Sequence, residues 1–209
     1  MKFVAFLLLF LAALTSLVPD GAAQIKLNEI LADPNSDWSG DGEVNSKLDE
    51  WVEIINDGAA AVDLSAFRIS DLSAGTDFRF GLSGMLGPGE TRVFYGADVV
   101  AWQTANGVSA FGLSLNNSGD TVYLYQVTAV DTSVVDSYPY ATNQVKDDRS
   151  VGRYPDGGGT WAIFDGLNPY NGTDYPVASG CFPSPGAVSN CPTPVKTSSW
   201  GQVKSKYSK

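Results

Sequence analysis

Residues 121–127 read Thr-Val-Tyr-Leu-Tyr-Gln-Val, and they give the clearest indication of how this chain folds. Apolar and amphipathic side chains alternate along the segment. Successive side chains of a strand point to opposite faces, so the alternation predicts a half-buried β-strand. We expect Val122 and Leu124 to face a core, and the rings of Tyr123 and Tyr125 to cover the other face.

Further short strands are predicted on both sides of this segment. Turn-forming stretches such as Gly87-Pro88-Gly89 separate them. Ala97–Gln103 alone has helical character, with Asp98 as a candidate N-cap. Many strands at intervals of about 8–12 residues predict a β-sandwich or barrel rather than a parallel α/β fold. The strands predicted after the first two are Ala66–Ser70, Asp77–Phe80, Thr91–Tyr95, Thr121–Val127 and Ser133–Tyr138.

The first two predicted strands carry acidic as well as apolar residues. In the second, Val52 and Ile54 alternate with the other residues of 51–55. Glu29 and Glu53 then lie on neighbouring strands, as the pair that best fits the two facing carboxylates of a glycosidase. The favoured interpretation is that both are surface or loop-supporting acids. In the first strand, one shared face is predicted for Ile25, Leu27, Glu29 and Leu31.

The composition excludes several classes of protein. The 209 residues include no histidine, which rules out Ser-His-Asp and Cys-His catalysis and histidine-ligated zinc, copper or haem. A formal net charge of −10 argues against a nucleic-acid partner, because phosphate contacts need clustered Lys and Arg. The sequence therefore predicts a non-catalytic module with no nucleic-acid partner.

Residues 1–23 have the pattern of a cleaved signal peptide. Lys2 gives a positive start, Phe3–Leu14 is an apolar run, and Gly21-Ala22-Ala23 supply small residues for cleavage. A membrane anchor is the alternative, but the run is short for a span of about 20 residues. We expect a mature chain that begins at Gln24, has no transmembrane segment, and is secreted or held at the cell surface or in the periplasm.

The mature chain is expected to form one domain, residues 24–191, followed by a basic tail, residues 192–209. The tail contains four lysines and no acidic residue. Trp200, Val203 and Tyr207 recur at the spacing of a short amphipathic helix. A solvated terminus is the alternative, whereas a docking segment for an anionic surface is the sharper hypothesis.

Six motifs, in this order, make the chain resemble the lamin tail domain family in its bacterial secreted form. The resemblance runs from about Ile25 to Asn190 and implies an immunoglobulin-like β-sandwich. It also implies a binding or attachment module with no catalytic residues. The motifs are Lys-Leu-Asn-Glu-Ile (26–30), Asp-Glu-Trp-Val-Glu-Ile-Ile-Asn (49–56), Val-Asp-Leu-Ser-Ala-Phe (62–67), Leu-Gly-Pro-Gly-Glu (86–90), Asn-Ser-Gly-Asp-Thr-Val (117–122) and Pro-Ser-Pro-Gly-Ala (183–187).

An acidic loop over residues 33–50 holds six carboxylates and one lysine. With Asp37 as position 1 of a calcium loop, oxygen-bearing side chains fall on alternating positions and Gly42 falls at position 6. Leu48 stands at position 12 and cannot coordinate, so Asp49 or Glu50 would have to close the site. The alternative is a solvated acidic loop. The candidate ligands of a structural calcium ion are Asp37, Ser39, Asp41, Glu43, Asn45, Asp49 and Glu50.

Cys181 and Cys191 are the only cysteines. A disulfide between them is the expectation for an exported chain, and it would stabilise the fold by about 3 kcal/mol, less because two prolines already stiffen the loop.

The sequence thus predicts an exported binding or scaffolding module. Its partner would be a protein or glycan at a cell surface or in the extracellular matrix, and no oligomeric state is predicted. One alternative is a carboxylate-dependent glycosidase. The other is a carbohydrate-binding module whose flat rings would be Tyr154, Trp161, Tyr170 and Tyr175.

Overall fold

The computed structural model describes residues 25–72 and 78–192. The predicted signal peptide and all of the predicted tail except Pro192 lie outside the described residues. The elements in chain order are β1 (Ile25–Leu31), β2 (Trp51–Asn56), β3 (Val62–Asp63), a 3₁₀ turn (Leu64–Ala66), β4 (Phe67–Ser70), β5 (Phe80–Gly81), β6 (Met85–Leu86), β7 (Thr91–Tyr95), α1 (Gly96–Ala105), β8 (Gly119–Val127), β9 (Thr132–Ala141), a second 3₁₀ turn (Thr142–Gln144), β10 (Ser150–Tyr154) and β11 (Thr160–Phe164).

The strands form an immunoglobulin-like β-sandwich, as predicted. One sheet has the order β11-β10-β1-β2-β7 and the other has the order β5-β4-β8-β9, while β3 and β6 form a short ribbon. Val52 and Ile54 from the first sheet and Leu124 from the second are fully buried in one apolar cluster. The core therefore lies between the two sheets, as expected for sheets that pack face to face.

Strand β8 follows its alternation closely. Val122 and Leu124 are fully buried in the core. On the opposite face, the rings of Tyr123 and Tyr125 stack with centroids 5.9 Å apart. The Tyr125 ring is also buried, and its hydroxyl donates a hydrogen bond of 2.8 Å to the carbonyl of Leu72.

The predicted face of β1 is wrong, because a β-bulge interrupts the strand. Leu27 lies opposite Ile54 and Glu29 lies opposite Glu53, which leaves Asn28 as the extra residue. Beyond a bulge the alternation of side chains shifts by one residue. The core face of β1 is therefore Ile25, Leu27 and Ile30, while Glu29 and Leu31 lie on the other face.

Several predicted element boundaries also need correction. Helix α1 begins at Gly96, and Asp98 is not its N-cap: the Asp98 side chain accepts a hydrogen bond of 3.0 Å from the backbone N–H of Tyr95, the cap residue. Phe78 and Arg79 precede β5 rather than belonging to a strand. The predicted strand Thr91–Tyr95 coincides with β7.

Among the described residues, no helix has both the length and the apolar character needed to cross a bilayer.

Strands β10 and β11 were not predicted, although β10 completes the first sheet beside β1. They place residues after 164 over the outer face of that sheet. Leu31, Trp51 and Phe164 are fully buried without belonging to the central cluster. Trp38 of the acidic loop packs edge-on against Trp51, with ring centroids 6.0 Å apart. The outer face is thus covered by the acidic loop and by the C-terminal segment.

Gly96 joins the start of α1 to the end of the acidic loop. Its N–H donates to the carbonyl of Glu50 at 2.7 Å, and a Cβ on Gly96 would lie 1.9 Å from the carbonyl oxygen of Lys47. A methyl group there would push the loop away from the helix. Since the clash is with backbone, relief by side-chain rotation is excluded.

We therefore expect Gly96→Ala to lower the free energy of unfolding by about 2 kcal/mol or more, measured by urea denaturation. Gly158→Ala is the matched control, because its Cβ would meet nothing within 4 Å. That control should change stability by less than about 0.5 kcal/mol. Equal stability of the two variants would contradict the packing described here.

Candidate functional site

The base of the acidic loop is held by a carboxylate from a distant part of the chain. Asp148 accepts hydrogen bonds from the N–H of Asn35 at 2.7 Å, the N–H and hydroxyl of Ser36 at 3.1 and 2.5 Å, and the indole N–H of Trp38 at 2.7 Å. Asp148 is buried at this point. The first residues of the loop are therefore built into the fold.

The tip of the loop is a compact turn around Asp37. Its carboxylate accepts hydrogen bonds from the N–H groups of Gly40, Asp41 and Gly42 at 2.7, 3.1 and 2.8 Å. Gly40 and Gly42 have φ values of 76° and 94°, a region that suits glycine. Gly42 lies within this turn, and the Asp41 carboxylate accepts a hydrogen bond from the N–H of Glu43.

The end of the loop is organised by Asp49. Its two oxygens accept from the N–H groups of Ser39 and Asn45, both at 2.7 Å. Burial raises the pKa of Asp49, but these hydrogen bonds outweigh that effect and hold the pKa below its ordinary value. Asp49 is therefore an ionised anchor for the loop.

Glu50, the last of the candidate calcium ligands, contacts a segment outside the acidic loop. It is buried, and its carboxylate accepts a hydrogen bond of 3.3 Å from the N–H of Leu115. Burial raises the pKa of Glu50 to about 8, and the charges of Asp71 and Asp120 add to the shift. Among the residues that the structure describes, no three acidic side chains are grouped as metal ligands would be. Calcium binding by the loop stays a prediction.

The outer face of the first sheet carries a second, more deeply buried acidic site. Glu29 and Glu53 are cross-strand partners on β1 and β2, with exposures of 1% and 0%. Directly opposed side chains of an antiparallel pair lie on the same face, and two like charges there are destabilising. The pair thus depends on hydrogen bonding and protonation to remain buried.

Glu29 is hydrogen-bonded to residues far away in sequence. Oε1 accepts from the hydroxyl of Ser150 at 2.5 Å, and Oε2 accepts from the hydroxyl of Ser184 at 3.1 Å. The N–H of Ser184 lies 3.3 Å from both oxygens. One carboxyl group therefore joins β1, β10 and the C-terminal segment.

Glu53 holds the same C-terminal segment two residues later. Its Oε1 accepts from the side-chain N–H of Asn28 at 2.6 Å, and its Oε2 accepts from the N–H of Gly186 at 2.6 Å. Asn28 reaches Glu53 from the bulge in β1, and its side-chain oxygen Oδ1 accepts from the N–H of Gly157 at 2.9 Å. The bulge thus supplies a partner that a regular strand would not.

The loop held by these acids is closed by the Cys181–Cys191 disulfide, which confirms the predicted pairing. Its far end is held by Asp156, which accepts from the N–H of Ser189 at 3.0 Å and from the Ser189 hydroxyl. Residues 181–191 are therefore clamped over the sheet by three carboxyl groups. We call this segment the disulfide loop.

The buried pair has strongly shifted acidity. Burial raises the pKa of Glu29 from 4.5 to about 8, the Glu53 charge adds to the rise, and hydrogen bonds from Ser150 and Ser184 act against it. Burial likewise raises the pKa of Glu53. With the disulfide loop over it, this carboxyl pair offers no open cleft to a glycoside, and its oxygens are bonded to the chain itself.

The four rings considered for sugar binding do not share one role. Trp161 is stacked on Tyr138, with centroids 3.8 Å apart, and carries the Arg153 guanidinium 4.9 Å from its centroid. Tyr170 stacks instead with the guanidinium of Arg149. The most exposed rings are the other two, Tyr154 and Tyr175.

The buried acidic site includes four residues that were not predicted to belong to a site: Asn28, Ser150, Asp156 and Ser184. Ser184 lies in the motif at 183–187 and Asn28 in the motif at 26–30. The signal was therefore present as a resemblance, without its physical reason. Ser150 and Asp156 belong to a region in which no strand was predicted.

The raised pKa of Glu29 makes stability depend on pH. Between pH 4.5 and about 8 the folded protein keeps a proton that the unfolded chain has released, so the free energy of unfolding falls as the pH rises through this window. One such group contributes a slope approaching about 1.4 kcal/mol per pH unit. We expect Glu29→Gln, which cannot ionise, to flatten the profile measured by urea denaturation from pH 5 to 8.5.

Glu43→Gln is the matched control, because Glu43 is exposed at the loop tip. Its profile should overlay that of the unmodified protein. Glu50, whose pKa is also raised to about 8, should leave some slope in Glu29→Gln. A Glu29→Gln profile as steep as that of the unmodified protein would contradict a protonated Glu29.

Comparison with known proteins agrees with this architecture. The family model of the Lamin Tail Domain matches residues 19–142, from before β1 to the end of β9 and the following turn. The match stops short of β10, β11 and the disulfide loop, although these belong to the same fold here. No curated protein and no solved structure matches the chain. From the extent of the family match and the sandwich that it covers, the chain belongs to the Lamin Tail Domain family.

Proposed function

We propose that this protein is an exported, non-catalytic module that attaches to a protein or glycan at a cell surface or in the extracellular matrix. Membership of an immunoglobulin-like domain family is compatible with a non-catalytic role. The proposal assigns the sandwich the task of presenting surface loops to a partner.

The proposal is supported chiefly by the carboxyl groups whose pKa values are raised, because these groups are hydrogen-bonded to the chain itself. Glu29 and Glu53 hold the disulfide loop, and Glu50 accepts from the N–H of Leu115. Perturbed acids at functional sites normally face a cleft in which substrate can reach them. Acids that are bonded to the chain's own groups support a structural role.

Export is supported by two independent features. Residues 1–23 have the signal-peptide pattern, and the cysteine pair is oxidised in the structure. Disulfides persist in oxidising compartments and are rare in the cytosol of most organisms. The basic residues of the tail would add attraction to an anionic surface.

The test is expression of the full chain in a bacterial host that exports protein. We expect the recovered protein to begin at Gln24 by intact mass, to contain no free thiol, and to co-sediment saturably with cell-envelope or matrix preparations. It should release no reducing sugar from polysaccharides. Hydrolysis that Glu53→Gln abolishes, or retention on none of these preparations, would contradict the proposal.

The tail has a separate test. Deletion of residues 196–209 should reduce retention on anionic envelopes, and added salt should reduce it for the intact chain, because exposed charges are screened. Unchanged partitioning of the shortened protein would remove the tail from the proposed attachment.

We also propose that a structural calcium ion binds the acidic loop. The turn around Asp37, with Gly42 at its sharp bend, has the spacing of a calcium loop. Asp37, Asp41 and Glu43 are partly or fully exposed at its tip. A divalent cation would offset the repulsion among these charges.

Millimolar calcium added to chelator-treated protein should therefore raise the melting temperature by several degrees, since a ligand that binds the folded state alone stabilises it. Asp41→Asn should reduce the shift. Glu90→Gln, in the turn before β7, should leave it unchanged. A melting temperature indifferent to calcium would refute the ion site without affecting the attachment proposal.

A further inference from the structure

A cavity of about 470 Å³ opens beside α1. Trp102 and Gln103 on α1 form one side, and Phe78 and Arg79 before β5 form another. The remaining lining comes from Leu72, Val108, Ser109 and Phe111. The volume lies in the range of pockets that bind small molecules.

The frame of the cavity is fixed by packing and by hydrogen bonds. The Trp102 ring lies against Gly81, where a Cβ would approach it to 2.8 Å, and meets Phe80 edge-on at 5.9 Å. Gln103 is fully buried. Its amide donates to the carbonyls of Arg79 and Gly112 at 3.0 Å each and accepts from the Gly112 N–H at 2.9 Å. The helix and the loop after it are thus held together before any ligand arrives.

The charge in the lining is neutralised locally. Arg79 makes two parallel hydrogen bonds to Asp71, at 2.7 and 2.9 Å, and its guanidinium carbon lies 5.6 Å from the centroid of the Phe111 ring. A bidentate pair of this kind leaves little net charge to attract an ion. The Gln103 amide already makes its hydrogen bonds to Arg79 and Gly112. The cavity therefore favours an uncharged ligand with few hydrogen-bonding groups.

The rim of the cavity is unusually apolar for a water-exposed surface. Three of the lining residues, Leu72, Val108 and Phe111, are 39%, 44% and 57% exposed. Exposed apolar patches mark interaction sites, because removing apolar surface from water is favourable. A free small molecule would fill the cavity but leave the apolar rim exposed to water. An aromatic side chain on the apolar surface of a larger partner would fill the cavity and also cover the rim.

We infer that this cavity is the point at which the module holds its partner, by taking an uncharged aromatic side chain of a partner protein. Phe78, Trp102 and Phe111 supply edges and faces for offset or edge-to-face contacts with that ring. The partner's neighbouring apolar residues lie on Leu72 and Val108. The inference rests on the proposed function and names the chemistry of the partner's contact.

The test uses the full mature chain labelled with ¹⁵N and a probe of the proposed chemistry, N-acetyl-L-phenylalaninamide. We expect saturable chemical-shift changes of the Trp102 indole N–H. N-acetyl-L-alaninamide, which lacks the ring, and methyl glucoside should produce no saturable change at the same concentrations.

Phe111→Ser and Val108→Ser should each weaken binding of the probe, by at least fivefold for Phe111→Ser. Both side chains are partly exposed, at 44% for Val108 and 57% for Phe111, so the fold should persist, as melting temperatures will report. Tyr175→Ser is the matched control, since Tyr175 is 71% exposed and does not line the cavity. It should bind the probe as the unmodified protein does.

The inference is overturned if the probe fails to saturate, if methyl glucoside binds equally well, or if Phe111→Ser leaves binding unchanged. It is also overturned if Trp200→Ser binds the probe at least tenfold more tightly, because the chain's own tail would then be the occupant. Retention on cell envelopes that survives Phe111→Ser would overturn the inference and leave the attachment proposal standing. Loss of retention in the unmodified protein would instead remove the attachment proposal.

Discussion

The structure depends on keeping two carboxyl groups, Glu29 and Glu53, side by side in a buried position. Glu29 lies on β1 and Glu53 on β2, and the hydrogen bonds described for them come from no lysine or arginine. Burial without hydrogen bonds would be strongly unfavourable, so the chain supplies donors from β10, from the bulge in β1 and from the disulfide loop. The requirement to satisfy this pair thus explains why distant segments meet at one place.

Much of the sandwich could be predicted from local pattern. The alternation in 121–127 identified β8 because one face of that strand lies on the core, and the strand predicted between turn residues at 91–95 matches β7. The face of β1 could not be predicted, since alternation cannot reveal that Asn28 is an extra residue. Strands β10 and β11 could not be predicted in the same way. Gly152, Arg153 and Trp161 occupy positions that other segments cover, so these strands lack the alternation of apolar and polar residues that marks a half-buried strand.

The candidate site shows the same division between what sequence could and could not provide. The turn around Asp37 and the cysteine pair follow from short-range spacing, and the structure contains both. Glu50, by contrast, immediately precedes β2, and the direction of that strand fixes the direction of its side chain. Its carboxylate therefore contacts Leu115 and not the acidic loop, which spacing along the sequence could not reveal. The cavity beside α1 joins residues from three separate segments, and no local pattern brings Leu72, Trp102 and Phe111 together.

The hydrogen bonds of Glu29 also constrain the order in which the chain can mature. Its partners Ser150 and Ser184 are 121 and 155 residues further along. Contacts of such long sequence separation slow folding, because a long loop must close before they form. A chain that emerges from its amino-terminal end would present β1 early and leave its outer face wet until the last cysteine has appeared. The outer face of this sheet is therefore completed late in folding, and partly emerged chains would expose a strand edge that chaperones or proteases can recognise.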